Sequence, residues 1–241
     1  MAHKITITKK PPIVFIHGAG GGGWEWEYWK RYFESHNYPC YAPTLIGDKK
    51  KKLKDITISD YLKQLQNLVD ILQQKPYVIG ASMGGFLAQK LAETRYVAGA
   101  VLVNSAPPQG VAKGLWPTKK YTNVEDIIKW STESTLQDTI DCMPEADKKT
   151  FHWAHKKWRD ESGKIIKELR SGLPIDKKKV QAKVLVVAGE NDVDITPIVS
   201  FEIAKYYNAD YFQFAGVSHV GALLGRRWQD IAAVVKVWIE K

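Results

Sequence analysis

Tyr77-Val78-Ile79-Gly80-Ala81-Ser82-Met83-Gly84-Gly85-Phe86-Leu87-Ala88-Gln89-Lys90-Leu91-Ala92 runs apolar, breaks at a Gly-x-Ser-x-Gly and resumes with helical spacing. The β-branched pair Val78 and Ile79 leads in as a strand. Phe86, Leu87, Lys90 and Leu91 lead out at i, i+1, i+4 and i+5, the spacing of a helix. So sharp a turn strains the backbone of its central residue and pushes the hydroxyl out above the strand ends. Gly80 and Gly84 supply the small neighbours that this close passage of strand and helix requires. The five-residue pattern alone is a weak signal; its strand and helix context carries the reading.

Upstream, Ile13-Val14-Phe15-Ile16 is an apolar run too short for a helix, as expected of a strand buried on both faces of a parallel sheet. It delivers His17-Gly18-Ala19-Gly20-Gly21-Gly22-Gly23 to its carboxyl end. A nucleotide-phosphate loop needs Lys and a hydroxyl after its last Gly, and Trp24 stands there instead. The stretch does satisfy the dinucleotide pattern G-x-G-x-x-G, but no acidic residue closes the next strand, Tyr38 to Pro43, to hold a ribose. Beside the elbow at Ser82, a loop that presents backbone amides to an oxyanion is the preferred reading.

Strand and helix signals then alternate. Helices are expected over 24–35, with Trp26, Trp29, Tyr32 and Phe33 on one face, and over 60–73, capped by Ser59, with Leu62, Leu65, Leu68, Val69 and Leu72 as the buried stripe. Strands are expected at 40–42, 97–103, 182–188 and 210–214, helices at 197–207 and 228–239, and an edge strand at 4–8. The alternation predicts a parallel sheet wound by right-handed crossovers. From Pro107 to about Lys179 the strand pattern disappears, and helical stretches are read near 124–133, 146–159 and 163–170.

Gly80-Ala81-Ser82-Met83-Gly84-Gly85, His17-Gly18 after its strand and the late His219 together resemble the α/β-hydrolase superfamily, in particular its compact bacterial esterase-like members. The likeness runs from about Ile13 to Ile239 and is weakest between Pro107 and Lys179. It implies one α/β domain over 1–241, a mostly parallel doubly wound sheet, and a helical cap inserted at 107–179 after the strand that follows the nucleophile helix. Ser82 is then the nucleophile, His219 the general base and later acid, and the amides of Ala19 and Met83 the oxyanion hole. Asp192, three residues after Gly189, has the family's spacing for the triad acid. The family's Pro usually comes four residues after that Asp, where Thr196 stands here with Pro197 one further, so Asp194 is the alternative acid. Trp24, Trp116 and Trp153 are candidate pocket residues, with ordinary packing between cap and body as the competing role.

Serine needs a base to take its proton, the base needs an orienting partner, and the developing oxyanion needs donors aimed at it. These parts fall just after predicted strands, in the chain order Ser, Asp, His. Any one alone has an ordinary structural role open to it: a turn serine, a surface histidine, a helix-capping aspartate. Together they point to a carboxylesterase working through an acyl-enzyme on a small ester, without cofactor or metal, and to an activity that rises with pH through about 6.5, the free imidazole value. Serine at the elbow argues against branches with an Asp nucleophile. Thioesterase, lactonase, carbon-carbon hydrolase, perhydrolase, acyltransferase and hydroxynitrile lyase chemistry stay open, as does a hydrolase-like ligand receptor with slow turnover.

At 241 residues the chain suits one domain with an insertion. No apolar run reaches a membrane span, and residues 1–8 lack a signal-peptide core, so a cytoplasmic protein is expected. Two cysteines make no disulfide framework, and Cys40 reads as a small buried side chain. The net charge of +9 raises nucleic-acid binding, but the lysines are scattered, and Lys49-Lys50-Lys51-Lys52 reads as a solvated loop. His152-x-x-His155 has too few ligands for a metal site.

Overall fold

A computed structural model describes residues 10–116 and 124–241. Its centre is a six-stranded sheet in the order β2-β1-β3-β4-β7-β8, every neighbouring pair parallel. The strands are β1 (Ile13–Ile16), β2 (Cys40–Tyr41), β3 (Tyr77–Ala81), β4 (Gly99–Val103), β7 (Lys183–Gly189) and β8 (Asp210–Phe214), with β5 (Ile127–Ile128) and β6 (Glu161–Ser162) pairing separately as an antiparallel ribbon.

The strand period divides the core in two. Val14, Ile16, Val78, Leu102 and Val186 face α2 (Ile58–Asp70), α3 (Met83–Thr94) and α8 (Pro197–Tyr207). Ile13, Phe15, Ile79, Val101 and Val187 face α1 (Glu27–Ser35), α9 (Gly221–Leu224) and α10 (Trp228–Ile239). Each of these strand residues is 0% exposed. At roughly 1.5–3 kcal/mol for each large apolar side chain withdrawn from water, this double-sided burial is the main force fixing the register. β1 pairs with both β2 and β3, so the strand order reverses between β1 and β3. Open α/β sheets form their crevice at such a reversal, beyond the strands' carboxyl ends.

Trp26, Trp29 and Phe33 are buried and Tyr32 partly so, as the helical spacing predicts. Helix α2 begins two residues before the expected start. Its cap is Thr57, not Ser59, because Thr57 and Asp60 form a reciprocal capping box. Cys40, expected to be buried, is only half-buried, since β2 is a two-residue strand at the sheet's edge. Lys49 to Lys52 are exposed, as a solvated loop requires. The edge strand expected at 4–8 lies outside the described residues.

Between β4 and β7 the structure departs most from expectation. Residues 124–133 are not one helix: Ile127 and Ile128 pair across to Ser162 and Glu161, and only α4 (Trp130–Glu133) is helical. α5 (Leu136–Cys142) was not expected, although Thr135 and Asp138 cap it reciprocally. α6 (Lys148–His155) stops short of Arg159, and α7 (Gly163–Ser171) follows β6. No helix among the described residues is long and apolar enough to cross a membrane.

Candidate active site

Ser82 sits between β3 and α3 with φ 55° and ψ −120°, in the left-handed region that a non-glycine residue enters only under constraint. The constraint is visible. Ser82 N–H donates to the ends of β4, 3.1 Å from Val103 O, and Ser82 O accepts from Ala106 N at 3.0 Å. A Cβ on Gly80 would collide with Gly84 O, and one on Gly84 with Ile16 O, so the crossing of strand and helix leaves room only for glycine at both positions.

Asp192 and His219 reach the same edge from the ends of β7 and β8. His219 Nδ1 lies 2.7 Å from Asp192 Oδ2. The other carboxylate oxygen, Oδ1, accepts the amides of Asp194 and Ile195, each at 2.9 Å. Asp192 is 2% exposed, and both its oxygens are occupied. Asp194, the alternative acid, lies in the cavity wall and reaches this pair through its backbone amide. The carboxylate on Nδ1 fixes the proton there and leaves Nε2 as the basic nitrogen. Burial draws the His219 pKa down, but the charge and hydrogen bond of Asp192, with Asp194 and Glu25 adding to them, outweigh it and hold the ring above its ordinary value. This moves the expected rise of activity to a pH above the free imidazole's.

Asn104 ties these strand ends together and was not singled out by its sequence. It is 0% exposed with φ 45°; its Nδ2 donates to His219 O at 2.9 Å and Ser218 O at 3.2 Å, and its Oδ1 accepts Gly189 N–H at 2.8 Å. Ser218 is held from the other side, its amide and hydroxyl donating to Glu145 at 2.8 and 2.7 Å.

The Gly-rich loop is fixed by side chains. His17 Nε2 accepts Leu45 N–H at 2.8 Å, so Nδ1 carries the proton and donates to Gly18 O at 2.7 Å. Burial, with the charge of Arg159, lowers the His17 pKa to about 4, which keeps this two-sided bridge neutral. Glu25, another residue sequence reasoning passed over, is 3% exposed and accepts Gly18 N–H at 3.0 Å. Burial raises its pKa to about 7, against the Gly18 amide and the His219 charge.

Ser82, His219, Ala19, Met83, Glu25 and Asp194 all line one cavity of about 680 Å³, a volume suited to a small molecule. Of the tryptophans expected there, Trp116 lines it, together with Trp130 and Trp158. Trp24 and Trp153 do not. Their rings meet edge to face at 5.3 Å, and Trp24 packs on Trp158 at 5.1 Å, so they support the wall from behind. His155 Nδ1 lies 3.2 Å from Thr139 Oγ1, and among the described residues no three or more His, Cys, Asp or Glu side chains gather as a metal site would need.

The sequence profile of the alpha/beta hydrolase family matches residues 13–234. Norfluorocurarine synthase 1 of Strychnos nux-vomica is 28% identical over 145 residues, 57% of this chain and 51% of that protein. The matched stretch thus spans about half of that relative's length. Among solved structures, polyneuridine aldehyde esterase superposes with a TM-score of 0.75 at 17% identity, covering 95% of this chain and all of the other. A methylesterase from Arabidopsis gives 0.73 at 13% identity, covering 95% and 99%.

Proposed function

The chain belongs to the alpha/beta hydrolase family, and from its site we propose that it is a serine hydrolase cleaving small carboxylic esters through an acyl-enzyme. The observation that carries this reading is the bond from the buried Asp192 to Nδ1 of His219, which lines one cavity with Ser82 at its strained turn. The esterase and methylesterase names of two structural relatives favour a short alkyl ester over the other acyl bonds open to serine enzymes.

In this mechanism His219 Nε2 takes the Ser82 proton as Oγ attacks the ester carbonyl. The carbonyl oxygen becomes an oxyanion, received by the amides of Ala19 and Met83. Imidazolium forms against Asp192, whose charge stabilises it in place. The tetrahedral adduct collapses, the carbon-oxygen bond to the alcohol breaks, and His219 gives its proton to the departing oxygen. Water then attacks the acyl-Ser82, losing a proton to the same nitrogen, and the carboxylic acid leaves as Ser82 regains its proton. The described residues between Pro107 and Lys179 act as a cap within the single domain and supply about half of the cavity wall, Trp116, Trp130 and Trp158 among them.

The test is intact mass after exposure to a fluorophosphonate, run on wild type and Ser82→Ala together. One adduct on the wild type alone, with turnover of short nitrophenyl esters, is the expected result. No adduct, or equal labelling of both proteins, overturns the assignment of Ser82.

A further inference from the structure

Five of the six residues from Gly18 to Gly23 are glycine, so this loop has little of its own to hold a shape. Two buried carboxyl groups hold it. From the body of the fold, Glu25 Oε2 accepts Gly18 N–H at 3.0 Å. From the inserted segment, Glu161, 2% exposed, accepts Gly20 N–H on Oε2 at 3.2 Å. The same segment takes the carbonyl side: Arg159 N–H donates to Gly20 O at 2.7 Å, and Arg159 Nη1 reaches Gly21 O at 3.3 Å. The Trp130 ring fills the space that a side chain on Gly20 would need. Gly18 and Gly20 are buried, while Ala19 between them is partly exposed and lines the cavity.

We propose that Glu25 and Glu161 are positioning residues that fix the Ala19 amide as an oxyanion donor by taking up the amide on either side, and that Glu161 makes a complete hole depend on the inserted segment being seated. The proposal rests on the reading of Ser82 as nucleophile and Ala19 as donor.

A carboxylate beside a developing oxyanion opposes it, and each of these two is provided for. Burial pushes the Glu161 pKa up, while the Ser162 and Gly20 amides, the Tyr61 hydroxyl and the Arg159 charge work against it, Oε1 accepting the Tyr61 hydroxyl at 2.8 Å and Ser162 N–H at 2.9 Å. Glu25 has one amide donor and a nearby histidine, His219, and burial favours its neutral form. A neutral carboxyl still accepts the Gly18 amide through its carbonyl oxygen. Glu25 joins the cavity wall and Glu161 stands behind it; the role assigned to each is exerted through the backbone it holds.

The test compares wild type, Glu161→Ala, Glu161→Gln and Tyr61→Phe. It measures kcat and KM for a short nitrophenyl ester, inhibition by an aryl trifluoromethyl ketone, and hydrogen exchange over residues 17–24. Glu161→Ala should lower kcat by about 10- to 100-fold with KM within about threefold, weaken the ketone by a matching factor, and speed exchange in the loop. Tyr61→Phe, which leaves Glu161 on Gly20 but removes one donor from its carboxyl group, should cost less in kcat than Glu161→Ala and leave loop exchange at the wild-type rate. If Glu161→Ala does not fold, Glu161→Gln decides by the same readouts, with a smaller loss expected because one acceptor remains. The proposal is overturned if KM takes the whole loss, if ketone affinity is unchanged, or if loop exchange stays at the wild-type rate. Failure of the functional reading looks different: wild type itself neither turns over nor labels at Ser82. In that case faster loop exchange in Glu161→Ala still supports the bracing, and unchanged exchange overturns it.

Discussion

The carboxylate of Asp192 is shared between His219, 2.7 Å from Oδ2, and the backbone amides of Asp194 and Ile195, each 2.9 Å from Oδ1. Asp194 therefore takes part in this geometry as a peptide group, whatever its side chain does. Asp192→Asn should lower kcat by about 10³- to 10⁴-fold, since an amide can present its NH₂ to Nδ1 and invert the tautomer. Asp194→Asn keeps the amide and should cost less than about tenfold. Steady-state kinetics on both variants check this, and a larger loss in Asp194→Asn would reassign the acid.

Activity should rise with pH through a value above the free imidazole's roughly 6.5, because Asp192, Asp194 and Glu25 favour the charged ring. The base works only when neutral, so any partner that favours imidazolium moves the limb to higher pH. Glu25→Gln removes one such charge and should move the kcat/KM limb toward acid by roughly half a unit. A shift in the opposite direction would mean that Glu25 does not act on His219 as a charge.

The same carboxyl makes a stability prediction with a definite sign. Glu25 titrates at about 7 in the folded chain against 4.5 ordinarily. Between those values the folded state holds a proton that the unfolded chain has lost. Its contribution is whole below 4.5 and disappears as pH rises through 7, for an effect of roughly 1–3 kcal/mol. Thermal midpoints of wild type minus Glu25→Gln, taken at pH 4.5 and pH 8, should therefore fall by several degrees across the range. A difference independent of pH would place the Glu25 pKa near its ordinary value.

Several elements of the fold are legible in the sequence to the residue. β8, α8 and α10 begin and end at the residues their sequence patterns mark, because each is a continuous apolar or periodic run with clear breaks. Ser82 is marked by a local turn pattern at a strand end, whereas Asp192 and His219 are expected from the family's spacing and chain order. What escaped was non-local. Glu25 and Glu161 look like surface acids in the chain, and only folding brings each onto a glycine amide. Ile127 and Ile128 sit in a stretch with helical spacing, and a distant partner at Glu161–Ser162 overrides it. The three tryptophan choices divided because aromatic content alone does not say which ring faces the cavity and which supports it.

Charge in the cavity runs against charge on the chain. The protein carries +9, yet among the described residues the cavity wall includes Glu25, Glu125, Glu133, Asp138, Asp141 and Asp194 against Lys129 and Arg170. Lys129 is itself paired with Glu133 at 3.0 Å. A focused negative field from these wall residues should favour cationic esters over anionic ones of equal length. With matched nitrophenyl esters bearing a trimethylammonium or a carboxylate, kcat/KM should favour the cation by about 3- to 30-fold at low salt, and the gap should narrow near 0.5 M salt as screening shortens the field. A preference for the anion would mean that the scattered lysines set the field instead.

Asn104 joins three strand ends through one side chain, and this makes it a sensitive position with no role in bond making. Its amide nitrogen holds the carbonyls of Ser218 and His219, its oxygen holds Gly189 N–H, and Asn104 itself is 0% exposed. Asn104→Ala strands an amide and two carbonyls in a dry interior and gives up a residue suited to its positive φ. The cost to stability should be about 2–4 kcal/mol. Asn104→Asp keeps the size and the acceptor for Gly189 but turns a donor into a repelling oxygen against two carbonyls, so it should be at least as damaging. Chemical unfolding of the two variants checks the order. Because His219 hangs from the same backbone, kcat should fall alongside stability, whereas an Asn104→Ala protein of full activity would show that the His219 loop holds its place without this amide.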